Sequence, residues 1–157
     1  MKKALAVFWC CCIITIVHAQ QNIETQKVSV KESNPTAWTT YISNNYVKID
    51  YRFVECDPPY GYDAQYILIR ITNLSHKPFK LSWHHELYYG NDCTTCGYTD
   101  EYGFEVTAEG NVVLEGSCGY EDDFQLKIFS RFTDKAYKGG AKPLSAFQFN
   151  NLTLTFI

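Results

Sequence analysis

The chain has 157 residues with 46% hydrophobic residues, which is enough for one domain with a sizeable core. Its 14 basic and 17 acidic side chains give a net charge of −3 with no basic stripe, which argues against nucleic acid or an anionic membrane as a partner.

The first 19 residues have the three-part pattern of a secretory signal peptide. Two lysines follow Met1, an uncharged apolar stretch runs over 4–17, and short residues precede Gln20. The apolar stretch is shorter than the ~20 residues that a membrane span needs. We predict cleavage near Ala19–Gln20 and a secreted or periplasmic destination.

Removal of residues 1–19 takes away two lysines and three of the seven cysteines. The mature chain would keep 138 residues, four cysteines and a net charge of −5. No second apolar segment reaches spanning length, so we expect no integral membrane segment in the mature chain.

The predicted elements begin with a polar stretch. Residues 20–45 are rich in Ser, Thr and Asn and contain Pro35, so they are predicted as a flexible leader with a possible edge strand at 27–30. Regular alternation of apolar and polar residues starts at Tyr46, and we assign 46–157 to a single folded domain.

Seven strands are predicted in this domain from alternation, from β-branched and aromatic content, and from intervening turn residues. The last strand changes its apolar positions from odd to even at Asn150–Asn151, which is typical of a β-bulge. The predicted strands cover 46–56, 66–72, 79–89, 104–107, 112–115, 124–132 and 146–157.

The strand pattern predicts an all-β fold, a single antiparallel β-sandwich of about seven strands. An immunoglobulin-like sandwich is the preferred architecture, although the spacing of a Trp beside a bridged cysteine pair is not that of antibody domains. A jelly roll or a small barrel is the alternative.

The four cysteines of the mature chain fall at one end of the predicted sandwich. Following the strands up and down places Cys56, Cys93, Cys96 and Cys118 at the same end, which we call the cysteine pole. An exported chain favours two disulfides over a zinc site made of the four thiolates. Three pairings are possible, and we favour bridges that join Cys56 and Cys118 each to one of the pair 93/96.

Two histidines and one serine are candidates for a catalytic or metal-binding role. His84 and His85 are neighbours in a strand, so they face opposite ways, and His85 is interpreted as a core histidine. Ser117 stands between Gly116 and Cys118 but lacks the strand-to-helix turn and the nearby base of a nucleophile. The sequence therefore predicts no catalytic residues, no metal site and no cofactor.

Tyrosines and acids are concentrated in the loops of the cysteine pole. Tyrosine offers a flat apolar face and a hydroxyl, which suit protein and sugar ligands alike. The predicted binding residues are Tyr60, Tyr62, Tyr89, Tyr98, Tyr102, Tyr120, Asp100 and Asp122.

The sequence favours a non-enzymatic, exported domain that binds an unknown protein or glycan through these loops. The alternative is a structural accessory module of an envelope or extracellular assembly. The motifs at Asn73 and Asn151 match the N-glycosylation pattern and would matter only in a host that glycosylates exported proteins.

Overall fold

The computed structural model describes residues 20–31, 35–57, 62–98, 100–119, 124–137 and 139–157. The predicted signal peptide at 1–19 lies outside these residues. Within them, the only helical element is a 3-10 turn at Phe124–Leu126. This part of the chain therefore contains no helix of the length and apolar character that a membrane crossing requires.

Eleven strands run through the described residues, and they include all seven strands that the alternation predicts. Three further strands precede them, and the two-residue β7 follows the long β6. The strands are β1 Gln20–Asn22, β2 Val28–Ser29, β3 Thr39–Ser43, β4 Val47–Cys56, β5 Ala64–Asn73, β6 Phe79–Tyr89, β7 Asp92–Cys93, β8 Gly103–Ala108, β9 Val113–Glu115, β10 Lys127–Phe132 and β11 Leu144–Phe156.

The strands form two antiparallel sheets, so the all-β prediction is confirmed. In the β6 sheet, β11 pairs with β6 on one side and with β1 and β2 on the other, while β7 and β8 pair with the far edge of β6. In the β5 sheet, β3, β4 and β5 pair in chain order, and β9 and β10 lie along the other edge of β5.

One hydrophobic core lies between the facing sides of the two sheets. Every second residue of β5 and β6 points into it because side chains alternate along a strand. Apart from Gln65 and Tyr89 near the ends of the strands, their odd-numbered residues are buried, among them Ile67, Ile69, Ile71, Phe79, Leu81 and Trp83. Burial of this apolar surface is the main stabilising contribution to the fold.

The predicted β-bulge in the last strand is confirmed. The pairing register of β11 with β6 shifts between Asn150 and Thr153, and Asn151 adopts a φ of 52°. The extra residue lets Phe147 and Phe149 before the bulge, and Leu152 after it, all face the core.

Residues 20–45, predicted as a leader or edge strand, contribute three short strands to the sheet edges. β1 and β2 lie beside β11, and β3 lies beside β4. Tyr41 of β3 is buried; its hydroxyl donates to the Gln26 carbonyl at 2.9 Å and accepts from the Phe149 amide at 3.2 Å. Through Tyr41, these two bonds connect β3 with the segment around Gln26 and with β11.

A buried carboxylate organises the outer face of the β5 sheet. Asp50 is almost inaccessible and accepts hydrogen bonds from Arg70 at 2.9 Å and Thr40 at 2.9 Å, with Lys48 Nζ 3.0 Å away. Burial alone would raise the pKa of Asp50, but these donors lower it below its ordinary value. The Trp38 ring lies beside the Arg70 and Arg52 guanidinium groups, 4.4 and 4.5 Å from its centroid.

The cysteines form two disulfides, but the pairing that we favoured is wrong. Cys56 bonds Cys118 and Cys93 bonds Cys96, with Cα–Cα distances of 5.6 and 5.7 Å. Cys56 lies on the outward-facing register of β4, so it meets the segment that follows β9 rather than the turn at the end of the β6 sheet. Gly116 makes this approach possible, because a Cβ there would collide with the Leu126 carbonyl.

Both disulfides lie at one end of the two sheets, as the strand count predicts. Cys93 pairs with Tyr88, and the neighbouring Tyr89 hydroxyl donates to the Phe129 carbonyl at 2.8 Å. Phe129 pairs with Tyr66 of β5. Tyr66 is two residues from Ala64, which pairs with Cys56, so both disulfides lie near the same end of the sheets.

Asn73 is a structural anchor at the opposite end of the sheets. Its side chain is buried, and Nδ2 donates to the carbonyls of Lys77, Ala108 and Glu109 at 2.9 to 3.0 Å. Of the two glycosylation-like motifs, Asn73 is therefore sequestered in the folded protein, whereas Asn151 is exposed.

We predict that the two disulfides stabilise the fold to different degrees. Loop-closure entropy gives about 4 kcal/mol for the bridge that closes the 62-residue span between Cys56 and Cys118, and about 2 kcal/mol for the short ring of Cys93 and Cys96. Urea unfolding of the two double Cys→Ala variants measures both values. Equal losses of stability would contradict the expectation.

Substitution of Asn73 by Asp should destabilise the protein by at least about 3 kcal/mol, because a carboxylate would replace the amide donor among three carbonyl oxygens. Asn44→Asp is the matched control, because Asn44 uses only its oxygen, which accepts from the amides of Tyr46 and Val47. Thermal or urea unfolding compares the two variants, and similar losses in both would refute the role of the Asn73 amide.

Candidate functional site

A cleft of about 260 Å³ opens at the cysteine pole, between the end of β6, the turn that follows β7, and β10. Five aromatic residues surround it, so we call it the aromatic cleft. These residues are Tyr89, Tyr102, Phe104, Phe124 and Phe129, and they are joined there by His85, Thr94, Thr95 and Lys127.

Three of the four hydroxyl groups around the cleft are occupied by the protein's own backbone, and the fourth belongs to Tyr102. The Tyr89 hydroxyl donates to the Phe129 carbonyl at 2.8 Å, and the Thr94 hydroxyl donates to the Leu87 carbonyl at 3.1 Å. The Thr95 hydroxyl donates to the His85 carbonyl at 2.5 Å and accepts from the Leu87 amide at 2.9 Å. The cleft therefore offers mainly apolar faces, and among the described residues the Tyr102 hydroxyl is the one lining hydroxyl without a hydrogen bond.

The disulfide between Cys93 and Cys96 closes the turn that carries Thr94 and Thr95. Thr95 is buried, and its carbonyl oxygen lies 3.2 Å from the His84 Nε2 atom on the outer face of β6. The Thr94 amide donates to the Leu87 carbonyl at 2.9 Å. This wall of the cleft is thus fixed by one covalent bond and by hydrogen bonds to three residues of β6.

His85 forms the deepest part of the cleft and is a buried core histidine, as interpreted from the sequence. Its ring centroid lies 4.5 Å from that of Phe104 and 5.1 Å from that of Phe149. Burial first, and then the charge of His84, lower the pKa of His85 from 6.5 to about 3, so the imidazole is neutral at ordinary pH. The His85 Nε2 atom has no hydrogen-bond partner among the described residues.

The rim of the cleft carries an exposed aromatic ring and a cation. Phe124 is 72% exposed, an unusual position for so apolar a side chain. Lys127 Nζ lies 5.7 Å from the Phe124 ring centroid and 5.4 Å from that of Tyr66, and it donates to the Gly119 carbonyl at 2.9 Å.

The structure separates the tyrosines that the sequence assigns to one site. Tyr89 and Tyr102 border the cleft. Tyr98, 57% exposed, lies in the adjoining turn, where its carbonyl accepts from the Tyr102 amide at 3.2 Å, and Asp100 is exposed in the same turn. The remaining predicted residues Tyr60, Tyr120 and Asp122 lie outside the described residues.

Tyr62 belongs to a second aromatic cluster and does not line the cleft. Its ring meets those of Phe132 and Tyr137 edge-on, with centroids 5.9 and 5.2 Å away. Burial first, and then the charges of three neighbouring carboxylates, raise the pKa of Asp63 in this region; these neighbours are Asp57, Asp134 and Glu55.

The binding residues predicted from the sequence include only Tyr89 and Tyr102 of the cleft and leave out, among others, Phe104, Phe124 and Lys127. The sequence predicts Phe104 only as a strand residue. The alternation of apolar and polar residues predicts a strand there, but it does not show whether a cleft lies beside that strand. Phe124 and Lys127 were assigned to the start of β10, whereas Phe124 lies in a 3-10 turn that directs the chain past the end of β6.

The described residues contain no cluster of three or more His, Cys, Asp or Glu side chains arranged to hold a metal ion. Comparisons of the chain with protein-family models, with curated proteins and with solved structures found no match.

We predict that burial of neutral His85 makes the protein less stable in acid. As the pH falls below 6.5, His85 is protonated in the unfolded chain, whereas in the folded chain it stays neutral down to about pH 3. The free energy of unfolding should therefore decrease by about 1.4 kcal/mol for each pH unit between these two values. Urea unfolding at pH 7 and pH 4.5 should show a smaller acid loss in His85→Phe than in the wild type. His76→Gln, at an exposed turn, is the control, and an unchanged acid loss in His85→Phe would contradict the assignment.

Proposed function

We propose that this protein is an exported, non-enzymatic binding domain that takes its ligand in the aromatic cleft. The observation that carries the proposal is the exposed Phe124 ring at the rim of a preformed 260 Å³ cleft. A large apolar side chain kept in water beside a cleft is stabilised when a partner covers it, and such side chains are typical of interaction sites.

Export is supported by the signal-peptide pattern of residues 1–19 and by the two disulfides of the described chain. Disulfides persist in oxidising compartments and are rare in the cytosol. A secreted or periplasmic domain is the proposal that accounts for both features.

A binding role is supported by the chemistry of the cleft. Three of its four hydroxyl groups are bonded to the backbone, and His85 is held neutral deep in the wall, without a carboxylate hydrogen-bonded to its ring among the described residues. General acid–base or nucleophilic chemistry needs a poised and accessible group with an orienting partner. Apolar contact with a ligand needs only the rings.

For the architecture, we propose an immunoglobulin-like β-sandwich. The connections β3–β4, β4–β5, β6–β7 and β7–β8 stay within a sheet, while the chain crosses between sheets after β2, β5, β8 and β10. Crossings of this kind are typical of Greek-key sandwiches, with a jelly roll as the alternative.

We expect Phe124→Ala and Tyr102→Ala to reduce capture of the native partner at least tenfold, because central aromatic residues often contribute 2 kcal/mol or more to an interface. The measurement is quantitative crosslinking or pull-down from the native extracellular or periplasmic fraction, compared between variants. Tyr62→Ala is the matched control, because Tyr62 has the same residue type and lies outside the cleft.

Full partner capture by both cleft variants, with unchanged melting temperatures, would refute the proposed site. An accessory module that associates through a sheet edge predicts a different pattern. In that case Thr107→Glu, on the edge strand β8, would abolish association while Phe124→Ala would not.

A further inference from the structure

We infer that the aromatic cleft binds one aromatic residue of a protein partner, and that a carboxylate next to this residue is held by Lys127. This inference rests on the proposed binding function and names the ligand class. It excludes a glycan as the main ligand.

The first step concerns hydrogen bonding. A sugar presents many hydroxyl groups, and each of them needs a partner once it is removed from water. The hydroxyls of Tyr89, Thr94 and Thr95 already donate to backbone carbonyls, so they cannot donate to a sugar without breaking the cleft wall. Among the lining hydroxyls this leaves only that of Tyr102, which is too few for the many hydroxyl groups of a sugar. An apolar ring makes no such demand.

The second step concerns size. Clefts for drug-sized molecules usually measure about 300–1,000 Å³, whereas the aromatic cleft measures about 260 Å³. A single side chain is therefore the appropriate scale. The half-buried ring of Phe104, which packs on His85 behind it, and the exposed ring of Phe124 offer faces and edges to an incoming aromatic ring.

The third step concerns charge. Lys127 is the only cationic side chain at the cleft, and it has no carboxylate partner within the described residues. Among the described residues, Nζ uses one of its three donors for the Gly119 carbonyl, and no other hydrogen bond engages the remaining two. A carboxylate beside the bound ring would complement this cation.

The ammonium group also lies over the rings of Phe124 and Tyr66, so its position is coupled to the apolar part of the site. Because the mature chain is acidic overall, we expect the carboxylate to add selectivity at Lys127 rather than a general electrostatic attraction.

Blocked tetrapeptides test the inference on the ¹⁵N-labelled protein by NMR titration. The probes are acetyl-Gly-Phe-Glu-Gly-amide, its reversed-order form with Glu before Phe, the two corresponding Gln peptides, and acetyl-Gly-Ala-Glu-Gly-amide. We expect the better Phe/Glu peptide to shift resonances of Tyr102, Phe104 and Phe124, and to bind roughly 2- to 5-fold more tightly than its Gln form. The Ala peptide should cause no shift at the cleft.

Lys127→Met keeps the apolar stem of the side chain and should abolish the difference between the Glu and Gln peptides. Lys77→Met, at an exposed turn at the opposite end of the sheets, should leave it intact. If Lys127→Met fails to fold, titration of the wild type replaces it. Affinity for the Glu peptide should then fall as its carboxylate is protonated near pH 4, while affinity for the Gln peptide should change less.

Three outcomes would overturn the inference. Equal affinities for the Glu and Gln peptides would refute the inferred contact between Lys127 and a carboxylate of the ligand. Cellohexaose serves as the glycan probe in the same titration. If it shifts resonances of the cleft and the Phe peptides do not, the cleft is a glycan site and the proposed binding function stands. An absence of cleft shifts with every probe would reject the aromatic ligand, while the capture experiment with Phe124→Ala would still decide the proposed function.

Discussion

The inward-facing row of β6 is the feature on which both the core and the aromatic cleft depend. β6 pairs with β11 over most of its length and holds β7 and β8 along its other edge. Its inward side chains pass from fully buried Phe79 and Leu81 to His85, and then to half-buried Tyr89 at the cleft. Because alternation fixes these side chains on one face, the cleft is a continuation of the core toward solvent.

The two disulfides act on different parts of this arrangement. The bond between Cys56 and Cys118 holds the segment after β9 against the outer face of the β5 sheet, where Arg52 also pairs with Glu115 at 3.3 Å. The bond between Cys93 and Cys96 instead closes the turn that forms one wall of the cleft. A long-range bridge mainly limits the unfolded chain, whereas a short ring mainly fixes local geometry. Stability and site shape are therefore controlled by different cysteine pairs.

Much of the fold was predictable because it is encoded by local alternation. The long strands, the bulge at Asn151 and the buried position of His85 all follow from which residues share a face. The disulfide pairing was not predictable, because it depends on the path of the chain over the outer face of a sheet. The cleft depends on tertiary placement as well, because Phe124 and Lys127 border it together with residues of β6, although they belong to or precede β10, which pairs with β5 in the other sheet. Short strands such as β1 and β7 carry too few residues to show a period.

In the aromatic cleft, the groups that can supply affinity, the rings, differ from the polar groups that can supply selectivity. Rings whose neighbouring hydroxyls are already bonded can stabilise a partner through burial of apolar surface, but such contact is non-directional and discriminates weakly. Direction must then come from the few polar groups at the site, and the described residues provide one cation at the rim, Lys127, the hydroxyl of Tyr102, and one deeply buried neutral imidazole, His85. The imidazole makes a poor recognition group because it is enclosed by Phe104 and Phe149. For the binding function that we propose, selectivity would therefore depend on the rim, where the Lys127 ammonium group lies over the Phe124 ring.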